Sequence, residues 1–277
     1  MLNKKINVFA VTCSMLAGLV FSNIANAHTG WILPSHFSIS KEGGDWLTFD
    51  VTAANATFVF DKPASADMAR VVMPDGRQER PGFVLRGKRR SVFDFEFTEQ
   101  GTHKVLIKNA PRYITHFKAG RRDTPKRMRV NKVERAAMLP EESRDVETSV
   151  MFTRVESYIT VGKPSVKAFE IEGKYLELKP ITHPADIVAE EEVRLQFYFN
   201  GKVQAGVKVE IVREGVPYRN QQNQIEVVSD EQGFITFIPQ IAGRYLLVAK
   251  HQGVITDDLF ADKMRASVNL TFEAVLP

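Results

Sequence analysis

Phe93-Asp94-Phe95-Glu96-Phe97 decides the fold. Three rings alternate with two acids, and a period of two sends the rings to one face and the carboxylates to the other. Such a segment is a strand with one buried and one wet face, as in an antiparallel sheet. Upstream, Asp45-Trp46-Leu47-Thr48-Phe49-Asp50-Val51 and Thr57-Phe58-Val59-Phe60 are short and rich in aromatic and β-branched residues. Gly43-Gly44 and Asp61-Lys62-Pro63 bound them, and Val71-Val72-Met73 runs into the turn signal Pro74-Asp75-Gly76. Downstream, residues 149–162 return to a strand pattern that closes at Gly162-Lys163-Pro164.

A second strand-rich region begins near Lys174. Tyr175–Lys179, Val193–Phe199, Val207–Val212 and Phe234–Ile238 have period-two character, with Asn200-Gly201, Gly206, Gly215 and Asp230-Glu231-Gln232-Gly233 between them. The regions echo each other. Phe95-Glu96-Phe97 followed by Gly101-Thr102-His103 can be laid over Ile235-Thr236-Phe237 followed by Gly243-Arg244-Tyr245, with a ring two residues after the glycine in both. The expected fold is all-β: two tandem immunoglobulin-like or transthyretin-like β-sandwich domains, over residues 28–163 and 174–277.

Residues from about 109 to 150 interrupt the first unit. Arg112, Lys118, Arg121, Arg122, Lys126, Arg127, Arg129, Lys132 and Arg135 form a basic run opposed by Asp123 and Glu134, and Glu141, Glu142, Asp145 and Glu147 follow. A helical turn is expected over about Val130 to Met138. The segment reads as a long solvated insertion, or else as a docking surface for an acidic partner or envelope phosphates.

Residues 1–27 read as a signal peptide: Lys4 and Lys5, an apolar run from Ile6 to Val20, and Ala25-Asn26-Ala27 at the cleavage site. Cleavage after Ala27 makes His28 the first residue, predicts a periplasmic location and leaves no stable membrane insertion. Cys13, the chain's one cysteine, is removed, so 28–277 has neither thiol nor disulfide and depends on its own cores. Loss of Lys4 and Lys5 lowers the formal net charge from +4 to +2, which argues against nucleic acid as a partner.

The sequence lacks the Gly-x-Ser-x-Gly elbow, the phosphate-binding Gly-Lys-Ser/Thr loop, His-Glu-x-x-His and Gly-x-Gly-x-x-Gly. No enzyme is expected. His28 is different, because a free α-amine beside its own imidazole Nδ1 closes a chelate ring on a divalent transition metal. Further donors are sought among His36, close to His28 in the chain, His116 in Tyr113-Ile114-Thr115-His116-Phe117, and His183 in Ile181-Thr182-His183-Pro184. His103 and His251, in or beside strands, read as structural.

Ala27-His28-Thr29-Gly30-Trp31-Ile32-Leu33-Pro34-Ser35 resembles the start of the NikM-like periplasmic domain family, an exported domain of unknown function linked to nickel or cobalt uptake. Leu176–Pro184, Phe199–Lys202, Ala205–Glu210, Asp230–Phe234 and Ala242–Tyr245 look like that family's second half. The resemblance implies a periplasmic, non-enzymatic, metal-linked role with nickel, cobalt or copper as the ion. An envelope metal transporter or a TonB-dependent receptor is then the partner, His28 is the matching functional residue, and Trp31 and Pro34 pack the arm. The alternative is a module without metal that docks a receptor or transporter of the outer or inner membrane. A copper oxidase with an N-terminal histidine brace is a third reading, for which the sequence offers no aromatic substrate platform.

Overall fold

A computed structural model of the chain describes residues 28–256 and 258–277; the signal segment expected over 1–27 lies outside the described residues. Ser91–Phe97 is a strand whose rings Phe93, Phe95 and Phe97 are buried while Asp94 and Glu96 are exposed. It pairs antiparallel with Asp45–Ala54, so that Phe49 lies opposite Phe93 and stacks on it at 4.8 Å between ring centroids. Thr29–Pro34 lies on the far side of Asp45–Ala54 and Val84–Arg86 on the far side of Ser91–Phe97. Lys62–Pro63 completes this five-stranded outer sheet. Its inner face (Leu47, Phe49, Val51 and the three rings) packs on Val71, Val105, Ile107, Val155 and Ile159. Each ring so buried contributes about 2–3 kcal/mol.

The second outer sheet has four strands, including Leu176–Pro180, Val193–Phe199 and Phe234–Phe237. Leu178, Leu195, Phe197 and Phe237 point from it into a second core. Both outer sheets cover one 11-stranded sheet, and the two sandwiches therefore share a layer. Its spine is the 18-residue strand Arg144–Val161. Residues 149–157 of the spine pair in parallel with Lys263–Ala274, and residues 158–161 pair antiparallel with Gly101–Lys108. Alternate side chains serve different cores: Val155, Ile159 and Val161 face the first, Val150 and Tyr158 the second. The outer sheets thus lie on opposite faces of the common sheet. From Arg154 to Val161 every spine residue is buried, the two-sided burial that erases any polar alternation.

The sequence echo is a real correspondence of structure. In each sandwich the chain leaves an outer-sheet strand, Ser91–Phe97 or Phe234–Phe237, and enters the common sheet at a glycine, Gly101 or Gly243. Their φ angles are 130° and 140°, and a Cβ at Gly101 would lie within 2.9 Å of Pro74 and Ser165. His103 and Tyr245 follow and are both buried.

Two expectations need correction. Thr57–Phe60 is a turn, with Phe58 at φ 56°, because Phe58 and Phe60 are committed to packing around Trp31. The insertion at 109–150 is largely ordered: Arg112–Ala119 and Thr124–Met128 form a hairpin that pairs with the spine through Arg112–Ala119. Thr115, Phe117 and Ala119 supply its buried face. The expected helical turn is the helix Lys132–Met138, with a capping box. Asn131 Oδ1 accepts the Val133 and Glu134 N–H groups at 2.9 Å, and Glu134 Oε2 accepts that of Asn131 at 3.1 Å.

Candidate functional site

The first described residue, His28, sits at the head of Thr29–Pro34. That strand is held by its pairing with Asp45–Ala54 and, across the layers, by Asn269 and Thr271, whose side chains donate to the Gly30 and Ile32 carbonyls at 2.7 and 2.6 Å. Trp31 anchors it, 1% exposed, in a small cluster with Leu33, Phe37 and Leu246. Phe58 meets the Trp31 ring edge-on at 5.3 Å and Phe60 lies at 5.5 Å. Arg89 fastens the same turn by donating twice to the Phe60 carbonyl, at 2.9 and 2.6 Å, while Arg90 lies over the Phe60 ring at 4.6 Å. The fastened turn delivers Asp61, whose Oδ2 is 2.8 Å from His28 Nε2. A carboxylate only accepts, so this bond places the proton on Nε2 and makes Nδ1 the lone-pair nitrogen of the neutral ring.

The remaining histidines are spent elsewhere. His36 is exposed in the bend after the first strand. His116 is exposed on the hairpin, between Arg127 and Glu147 across the ladder, and burial together with Arg265 and Arg127 holds its pKa below the usual imidazole value. His183 caps the short helix Pro184–Asp186: its Nδ1 accepts the Ala185 N–H at 3.0 Å, and Nε2 lies 3.0 Å from Thr102 Oγ1 and 3.2 Å from the Ser165 carbonyl. It links the two sandwiches and has no free lone pair. His251 is half-buried beside Phe199, which lowers its pKa. Among the described residues, no three His, Cys, Asp or Glu side chains gather closely enough to hold a metal ion. The structure does not gather His36, His116 or His183 with His28 into such a group.

Sequence reasoning missed Asp61, which it took as turn punctuation before Lys62-Pro63. It also missed a buried charge network at the junction of the sandwiches. Arg154 reaches Glu177 at 2.8 Å, Glu172 at 3.3 Å and Glu156 at 3.4 Å. Glu177 also accepts the N–H groups of Glu172, Gly173 and Lys174 at 2.7–2.9 Å. Burial pushes the Tyr158 phenol well above its ordinary pKa, helped by Glu156. Burial would raise Glu172 too, but Lys108 and Arg154 outweigh it and hold the carboxyl below its usual value. A cleft of about 260 Å³ opens beside this network, walled by the stacked rings of Phe152 and Tyr175. Of its three lining cations, Lys108 and Arg154 are already matched by Glu172 and Glu177, while Lys174 has no ion-pair partner among the described residues.

Fold and site together define a double β-sandwich protein with an aspartate-oriented histidine at the head of its first described strand. The chain belongs to the family described as a domain of unknown function, DUF4198, whose profile matches residues 25–253. No curated protein matches it. Among solved structures, the D0-D1 domain of intimin is 9% identical, with 88% of this chain and 97% of that one covered and a TM-score of 0.23. Fibronectin(III)-like modules of Clostridium thermocellum CbhA are 8% identical, with 88% and 94% covered and a TM-score of 0.21. The sandwich assignment rests on the strand pairing and the two cores.

Proposed function

We propose that this protein, exported and cut after Ala27, binds a divalent transition ion through His28 and passes it to an uptake system in the envelope. The ion is nickel, cobalt or copper, carried as cargo. The observation that supports this reading is the bond between His28 Nε2 and Asp61. A carboxylate on one imidazole nitrogen fixes the tautomer and strengthens the other nitrogen as a donor, the arrangement found behind metal-bound histidines. The nitrogen left free is Nδ1, the one that closes a chelate ring with the residue's own α-amine. Trp31 and the turn carrying Phe58 and Phe60 hold His28 and Asp61 in register. Two donors from one residue leave the rest of the coordination sphere to solvent or to a receiving protein, which suits transfer better than storage.

The test is calorimetric titration with each ion against a competing chelator. The processed protein is compared with one carrying an extra Gly before His28 and with Asp61→Ala. Tight binding lost on extension and weakened about 10–100-fold by Asp61→Ala is the expected result. Equal binding by all three proteins, or none by the processed one, removes His28 from the site and ends this reading.

A further inference from the structure

A second surface, around the start of the spine strand, uses none of the residues of the His28 site. The segment 112–147 carries ten Lys or Arg and six Asp or Glu, a net +4, whereas residues 28–277 as a whole carry only +2. Arg144 pairs with Asp123 and Lys118 with Asp145. Arg121, Arg122, Lys126, Arg127 and Arg129 are exposed and have no ion-pair partner among the described residues. Lys126 and Arg127 are successive residues of one strand and so project to opposite faces of the hairpin.

Apolar side chains stand beside these cations. The helix Lys132–Met138 has no buried residue, and Val133 and Met138 are 59% and 60% exposed. In the neighbouring loop Leu259 is 73% exposed and Phe260 44%. The platform is rigid. Asp262 accepts the Thr148 N–H at 2.9 Å and an Arg135 N–H at 2.7 Å, and it pairs with Lys132 at 3.0 Å. The Lys132 N–H meets the Phe260 carbonyl at 2.8 Å, and Asp258 Oδ1 accepts the N–H groups of Phe260 and Ala261 at 2.7 and 2.8 Å. Helix, loop and the start of the spine are thus welded together with their apolar tips outward.

We infer that this end of the molecule docks on an anionic phospholipid bilayer surface. Cations on both faces of a projecting hairpin cannot all meet one flat protein patch, but a diffuse bed of phosphates engages them together. Separate apolar tips lack the continuous core of a protein interface, yet each can enter the headgroup boundary without shape complementarity. This inference is independent of metal binding, and its test is run in the presence of a chelator.

The experiment is sedimentation of the processed protein with vesicles of phosphatidylcholine alone, or of phosphatidylcholine and phosphatidylglycerol in equal parts, with soluble polyglutamate as a separate ligand. Binding is expected to the phosphatidylglycerol vesicles only and to fall steeply with salt. The variant Arg121→Glu/Arg122→Glu/Lys126→Glu/Arg127→Glu should lower it about a hundredfold or more. Val133→Ser/Leu259→Ser should weaken vesicle binding severalfold and leave polyglutamate unaffected. Arg121→Glu/Arg122→Glu alone serves the same purpose if the fourfold variant fails to fold. No binding to phosphatidylglycerol vesicles overturns the inference. So does equally tight binding to polyglutamate, which assigns the cations to an acidic polypeptide, and an apolar variant that binds vesicles as well as the parent overturns the part given to the apolar tips.

Discussion

His103 and Tyr245 occupy the same place in the two sandwiches, two residues beyond a glycine with φ near 130–140°, at the entry to the common sheet. Tyr245 donates its hydroxyl to the Ile241 carbonyl four residues upstream and stacks on Phe272 at 5.3 Å, the tyrosine corner of immunoglobulin-like sandwiches. His103 meets Phe97 edge-on at 5.0 Å, but neither of its nitrogens has a well-formed hydrogen bond. One backbone device therefore carries two plugs, one satisfied and one not. The difference teaches that the ring supplies the packing while the polar atom sets how the corner responds to its surroundings.

The largest effect expected would test whether the two corners can be compared independently at all. Arg154→Met leaves Glu156 and Glu177, at 0% and 1% exposure, buried without their cation, which should cost about 3–5 kcal/mol. Because the spine belongs to both cores, chemical denaturation of this variant should remain one coincident transition for both sandwiches. Two separated transitions would show that the shared sheet does not couple them.

Acid should separate the corners next. Burial lowers the His103 pKa to about 4 from 6.5, opposed by Glu99 and by the nearby Ile159 and Gly101 backbone and assisted weakly by Arg77. The folded state thus binds fewer protons than the unfolded chain between those values. His103 contributes its full stability above pH 6.5 and loses it as the pH falls towards 4, by about 3 kcal/mol in all. Unfolding measured across this range should show that slope in the parent and a flatter one in His103→Phe. An unchanged slope would mean that the corner histidine does not titrate with folding.

Tyr245→Phe keeps the ring and removes the hydroxyl, leaving the Ile241 carbonyl without this donor. A loss of about 1–1.5 kcal/mol with no pH dependence is expected from thermal melts, and a pH-dependent loss would erase the contrast with His103. Smallest should be Asn131→Ala, which uncaps the exposed helix for about 1 kcal/mol and leaves both corners intact.

The residues that announced themselves were those buried on one side. Phe93, Phe95 and Phe97 alternate with acids, and the glycine-then-ring echo of Gly101 and Gly243 is a local pattern. The spine reads as little more than a closing strand because its partner, Lys263–Ala274, lies more than a hundred residues away and its two-sided burial removes the alternation. The hairpin at 112–128 was obscured by its charges, although Thr115, Phe117 and Ala119 do alternate. His28 stood out through the predicted cleavage site. Asp61 did not, because its meeting with His28 is made by a turn that Trp31, Phe60 and Arg89 hold in place across the fold.

The parallel pairing of Lys263–Ala274 with the spine also fixes an order of events. This strand, the last of those described, lies inside the common sheet, between the spine and Gly243–Val254. A chain still emerging from a ribosome has not yet delivered it, so the middle of the sheet stays open and the second core, to which Met264, Val268, Leu270 and Phe272 belong, cannot close. Closure of the second core thus waits for this strand, a timing built into topology.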